Sequence, residues 1–219
     1  MGLPARKIQP ATYADLAAVP DHLRAELIEG SLHTAPRPGL PHQLANGRLF
    51  GTLDRTFHHG GGGPSGWIIL IEVELHLGQA LGHSDPRDAV VVPDISGWRR
   101  SRLPQVPRSA ALSLPPDWVC EVISPRREAH DRIRKMDLYQ RAGIPWYWLL
   151  DPAARTLEVF RLDDGPPVRV VGHEGGGTVR APPFESAELD ASGWWLPDEE
   201  EAGEGPPEAR EEDPAQPAE

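Results

Sequence analysis

Two carboxylates stand where carboxylates are costly. Asp94 follows the apolar run Val90, Val91, Val92 and Pro93, and Glu121 interrupts the run Trp118, Val119, Cys120, Val122 and Ile123. Runs this dense read as strands buried on both faces. A charge inside such a strand costs several kcal/mol unless something compensates it. If the two strands are neighbours, their carboxylates converge, and convergent carboxylates repel unless a cation lies between them. Oxygen ligands of this kind suit Mg²⁺ or Mn²⁺. The competing reading is that Glu121 pairs with an arginine or meets water at a strand end. Lys135 adds a third group. The chain has two lysines, Lys7 and Lys135, against twenty arginines. A compact ammonium can steer a water nucleophile or neutralise charge in a transition state. Its blander role is a surface pair with Asp131, four residues earlier on the same helix.

These groups must be positioned by a mixture of strands and helices. Thr12 could cap a short helix in "TYADLAAVPDHL", and "AELIEGSLHTA" reads as two strand segments around Glu29-Gly30 or one bent strand. Leu44, Leu49, Leu53 and Phe57 fall at helical spacing. "GGGGPSG" at 60–66 reads as a loop that carries no phosphate motif. "WIILIEVELHLG" and "AVVVPDISGW" each read as a strand, and the Glu121 segment as another. "REAHDRIRKMDLYQRAG" reads as a helix closed by Gly143 and Pro145. "WYWLLDP" and "LEVFRL" read as strands joined at Asp151-Pro152, with "PVRVVGH" as an edge strand. Trp146 and Trp148 share a face and read as sheet packing. The expected architecture is one central sheet covered by helices.

Composition narrows the class. The 219 residues suit one domain with extensions. No apolar run approaches the ~20 residues of a membrane span. The N-terminal "MGLPARKIQP" lacks a signal-peptide core. Cys120 is the single cysteine, which excludes an intrachain disulfide and a multi-cysteine zinc site. The expectation is a cytoplasmic protein with no membrane partner. The net charge is −11, but residues 197–219 hold ten Asp/Glu and one Arg, which leaves only −2 for the rest. That acidic, Pro-rich tail reads as disordered. Between Arg99 and Arg141, ten Arg/Lys face five Asp/Glu, so a local basic surface is open beside the reading of an ordinary mixed-charge face.

The segments "ELIEG", "VVPDISGW", "PDWVCEVISP" and "DRIRKMDLYQRAGIPWYWLLDP" occur in that order. Together they resemble the Uma-two family of endonucleases, in the PD-(D/E)XK nuclease superfamily. The resemblance runs from Tyr13 to Leu162. It implies an α/β (α+β) fold with a restriction-endonuclease-like core, a nuclease domain over 1–196 and the tail at 197–219. It also implies metal-dependent hydrolysis of DNA phosphodiester bonds. Asp94 and Glu121 would hold Mg (or Mn), helped by the backbone carbonyl of Val122. Glu26 of "ELIEG" matches a family acid that faces the site. The superfamily's lysine normally stands two residues beyond the second acid, where this chain has Ile123, so Lys135 takes the role by resemblance.

Arginines of 99–108 and 126–134 would contact phosphates. His42 resembles a histidine at the start of the family's second helix, with a capping or solvent-facing use equally open. Glu72 and Glu74 share a strand face, either as outer contacts to the metal or as exposed acids. Tyr139 and Gln140 could line a DNA groove, although Tyr139 is commonly core. A homodimer is compatible with the sequence. The alternatives are a non-catalytic nucleic-acid- or protein-binding module on the same fold, and a phosphohydrolase of small substrates. Deleting residues 197–219 is expected to strengthen DNA binding at low salt, because nine net negative charges are removed. A fluorescence-anisotropy titration across a salt series measures this.

Overall fold

The computed structural model describes residues 9–59, 66–124, 128 and 130–197. The acidic tail from residue 198 and the glycine run at 60–65 lie outside the described residues. In chain order the elements are α1 (Tyr13–Ala17), β1 (Leu23–Ile28), β2 (Ser31–Pro36), α2 (Leu40–Leu53), β3 (Trp67–Ile71), β4 (Glu74–His76), β5 (Val90–Val91) and β6 (Ile95–Arg99). They continue with β7 (Ala111–Leu112), β8 (Trp118–Val122), α3 (Met136–Arg141), β9 (Trp146–Asp151), β10 (Thr156–Arg161), β11 (Val168–Glu174), β12 (Thr178–Val179) and β13 (Leu189–Asp190).

The strands make two main sheets. Six strands run in the order β11-β10-β9-β8-β6-β3, and five run β2-β1-β5-β4-β7. β8 lies inside the larger sheet, antiparallel to β6 and parallel to β9. All five of its residues are buried, which explains the dense apolar sequence. Side chains alternate across it. Trp118, Cys120 and Val122 face one core with α2, whereas Val119 and Ile123 face a second core with α3 and the smaller sheet. Glu121 points the second way by the same alternation.

Two apolar runs that read as single strands are each divided between the sheets. β3 ends at Ile71, paired with Ile95, and β4 restarts in the other sheet, where Leu75 pairs with Val91. Glu72 makes the bend at φ 49°, and its N–H reaches the Asp94 carbonyl at 3.2 Å. On the returning strand Pro93 has no N–H to give to a ladder, so pairing breaks there. Asp94 therefore sits at the seam where the chain passes from one sheet to the other. The expected single sheet becomes two because hydropathy does not record which neighbour a strand pairs with.

Other local expectations meet their structures directly. Glu29 (φ 50°) and Gly30 (φ 70°) form the two-residue turn between β1 and β2, the conformation that a tight hairpin requires. The helix expected after Glu121 is a π turn over His130–Lys135 continued by α3, with Gly143 past its end at φ 74°.

Residues 178–196 close the first core. Phe184 lies among Phe57 (4.8 Å between ring centroids), Trp67 (4.8 Å), Trp118 (5.0 Å) and Trp148 (5.6 Å). Phe184→Ala is expected to cost about 3–5 kcal/mol, the range for emptying a buried aromatic site. Urea denaturation of the purified variant measures it.

Candidate active site

The pocket at the seam is built by β1, α2, the 92–94 turn, β8 and the helix after it. Asp94 is one position beyond the pair Ile95↔Cys120, which places it beside Glu121 on the neighbouring strand. Both are buried, each only 2% exposed. Asp94 accepts three donors: the Val122 N–H at 2.8 Å and His42 Nε2 at 3.2 Å on Oδ2, and Arg24 Nη1 at 2.9 Å on Oδ1. Burial works against its charge, but the His42 hydrogen bond and the Arg24 guanidinium outweigh it and hold the carboxyl at about 2. An ionised carboxylate can only accept, so His42 carries its proton on Nε2.

Glu121 has a different environment. Lys135 Nζ lies 2.9 Å and the Tyr139 hydroxyl 2.5 Å from its Oε1. Both donors fall on one oxygen, which leaves Oε2 to meet a cation. Burial pushes the Glu121 carboxyl up to about 8; Lys135 opposes this, while Asp94, Asp131 and Glu26 add to it. Lys135 is itself buried and bridges to Glu26 Oε1 at 2.7 Å, closer than to Asp131 at 4.0 Å. Burial alone would lower its ammonium, but Glu121 and Glu26 reverse that and raise it above its ordinary value. Lys135 is thus no surface partner of Asp131. Glu26 also accepts the Val92 N–H at 3.1 Å and approaches His130 Nε2 at 3.5 Å. Among the described residues, Glu26, Asp94, Glu121 and Asp131 gather around Arg24 and Lys135.

The profile of the Uma2 family, described as "Putative restriction endonuclease", matches residues 10–192. The chain belongs to the Uma2 family. The solved structures include a similar one, described as "a putative nuclease belonging to DUF820 from Anabaena variabilis", with TM-score 0.65 and 22% identity. The likeness covers 84% of this chain and 97% of that one, and it shows a shared mixed α/β fold. No curated protein matches the sequence. Among the described residues, no helix is long and apolar enough to cross a membrane.

In this Uma2 chain, Asp94, Glu121, Lys135, Glu26 and His42 come together, and Val122 joins through its N–H. Ile123 fills the usual lysine position as a core residue, its N–H given to Leu150 O at 2.7 Å. Glu72 is exposed at the bend and lines the cleft beside Arg24, whereas Glu74 lies away from the pocket and binds His76 at 2.6 Å and Tyr13 at 3.1 Å. Gln140 turns to the Asp163 and Gly165 carbonyls, both at 2.5 Å.

Much of the basic segment is already engaged. Arg99 covers the Trp67 ring at 4.5 Å, Arg100 binds His58 O at 2.9 Å, and Arg102 pairs with Asp117 at 2.8 Å. Arg132 pairs with Glu128 and Glu158. Arg126 and Arg127 lie outside the described residues. Sequence reasoning missed Arg24. Its signal was the R-x-E spacing with Glu26, which places both on one face of a strand.

A raised carboxyl pKa has a definite consequence for stability. The native state holds the Glu121 proton more tightly than the unfolded chain does, so stability present at low pH is lost as pH rises from 4.5 toward about 8. Glu121→Gln is expected to flatten that decline in metal-free protein, as measured by denaturant unfolding across a pH series.

Proposed function

We propose that this Uma2 protein is a metal-dependent endonuclease that hydrolyses DNA phosphodiester bonds at the Asp94–Glu121–Lys135 pocket. The observation that supports this most directly is a buried ammonium held against an under-compensated carboxylate, next to a second carboxylate. The donor set fits a hard divalent cation. Glu121 presents Oε2, Asp94 lies beside it, and only two side chains need converge because Mg²⁺ usually keeps several waters. Asp94 and Glu121 would hold the ion, with the Val122 carbonyl as the expected backbone ligand. When bound, the cation would polarise a phosphate and acidify an adjacent water.

The chain's own residues divide the remaining work. Lys135 presents its ammonium to the nucleophile or the developing phosphate charge. Glu26 holds Lys135, and Tyr139 orients Glu121. His42 and the Val122 N–H fix Asp94. Arg24 is 20% exposed and reaches both Asp94 and the Val92 carbonyl, the latter at 3.1 Å. It also lines an open cleft of about 530 Å³ with Arg37, Gln43, Asn46, Asp21 and Glu72. A DNA strand entering there would meet two arginines beside the reacting centre, with Asp21 and Glu72 opposing them in the same cleft.

One observation favours a different reading. Asp94 already has three donors, and Arg24 neutralises it without any metal. A binding module that keeps the fold and not the chemistry would look the same at that residue. Plasmid and single-stranded DNA incubated with purified protein, with and without Mg²⁺ or Mn²⁺, separate the two. Cuts that need the metal support the enzyme; binding without cuts supports the module.

Lys135→Ala is expected to slow cleavage by about 10²–10³, as for loss of a preorganised charge. Lys135→Arg should be impaired as well, because a planar guanidinium does not replace the ammonium. The burial of Lys135 adds a stability cost of about 3–5 kcal/mol for removing the cation of a buried ion pair with Glu121. Single-turnover rates must therefore be paired with melting curves.

Metal affinity should also depend on pH. The ion displaces a proton from Glu121, so Mg²⁺ binding should tighten as pH rises toward about 8. Calorimetry in two buffers of different ionisation enthalpy reads the released proton.

A further inference from the structure

The chain leaving α2 carries a second constellation, remote in chemistry from the carboxylate pocket. A π turn over Asp54–His58 extends the helix, and His59 N–H closes it on the Asp54 carbonyl at 3.0 Å. A π turn is wider than an α turn, so residues four and five positions on both return to the same side. That geometry lays two neighbouring histidines over one carboxylate. His58 Nδ1 is 3.0 Å from Asp54 Oδ1, and His59 Nδ1 is 3.1 Å from Asp54 Oδ2. The rings stack at 4.6 Å. Among the described residues this is the one group of three whose ligand atoms all lie within 4.8 Å of one another.

We infer that Asp54, His58 and His59 form a binding site for a divalent transition metal of the zinc, nickel and copper class. Two imidazole nitrogens and one carboxylate suit these borderline ions, whereas the all-oxygen pocket at Asp94 and Glu121 suits Mg²⁺ or Mn²⁺. Two donors on one tetrahedral zinc ion stand about 3.4 Å apart, so donor atoms that lie within 4.8 Å of one another must draw in by up to about 1.4 Å. His59 is 70% exposed and free to make that movement. The ion would meet the carbonyl end of α2, where the helix favours positive charge. Arg100 binds the His58 carbonyl at 2.9 Å and holds the main chain there. The Ile69 N–H lies 3.4 Å from His58 Nδ1, at the long end of a hydrogen bond, and a metal on that lone pair would have to displace this weak bond. Water completes the coordination, which makes the site open. It does not depend on the nuclease reading.

The test is a calorimetric titration of the full chain with Zn²⁺ under saturating Mg²⁺, repeated with Co²⁺ to read its visible absorption. The parent is expected to bind one equivalent, with a tetrahedral Co²⁺ spectrum. His59→Ala, at an exposed position that folding does not need, should weaken binding roughly tenfold or more, and Asp54→Asn should do the same. Glu121→Gln should bind Zn²⁺ as the parent does. The inference is overturned if the parent binds neither ion, if His59→Ala and Asp54→Asn keep parental affinity, or if Glu121→Gln loses the site.

Discussion

The ammonium of Lys135, shared between Glu26 and Glu121, is the interaction on which the pocket depends. β8 can carry an acid through the interior of a six-stranded sheet because that cation arrives from the helix that follows. The same contact joins three parts of the molecule: β1 of the smaller sheet, β8 of the larger, and the turn before α3. It is a tie between layers as well as a charge balance. Its compensation of Glu121 is partial, because burial still pushes that carboxyl up to about 8.

Asp94 shows the opposite solution to the same problem. It occupies the seam where two strands leave one sheet for the other. A seam leaves backbone groups without ladder partners, and here a carboxylate takes up that surplus. The Val122 N–H binds Asp94, and the Val92 N–H binds Glu26. The acids of the site therefore finish the hydrogen bonding of an interrupted sheet. Their chemistry and their structural duty are inseparable, so replacing either one disturbs both.

Part of this was legible in the sequence. An acid inside "WVCEV" marks itself by cost, and Lys135 stands out among twenty arginines. Arg24 does not, because one arginine in such a chain carries no information until its strand face is known. Hydropathy located the strands yet merged β3 with β4 and β5 with β6, since burial on either side of a seam looks alike. No element was assigned in the sequence around Trp194 and Trp195. Their segment is held by side-chain anchors, such as Trp195 Nε1 to the Gly175 carbonyl at 2.8 Å, rather than by long strands. The resemblance assigned Lys135 to the site beside Glu121; its short contact with Glu26 was not foreseen, because β1 belongs to the other sheet.

The aromatic plug around Phe184 bears on how the molecule is made. A chain emerging from the ribosome presents Phe57, Trp67, Trp118 and Trp148 long before Phe184 exists to cover them. The pocket residues, by contrast, are all synthesised by position 139. Until Phe184 is made, α2 is the element that covers that core, and the four rings lack the side chain that touches them all.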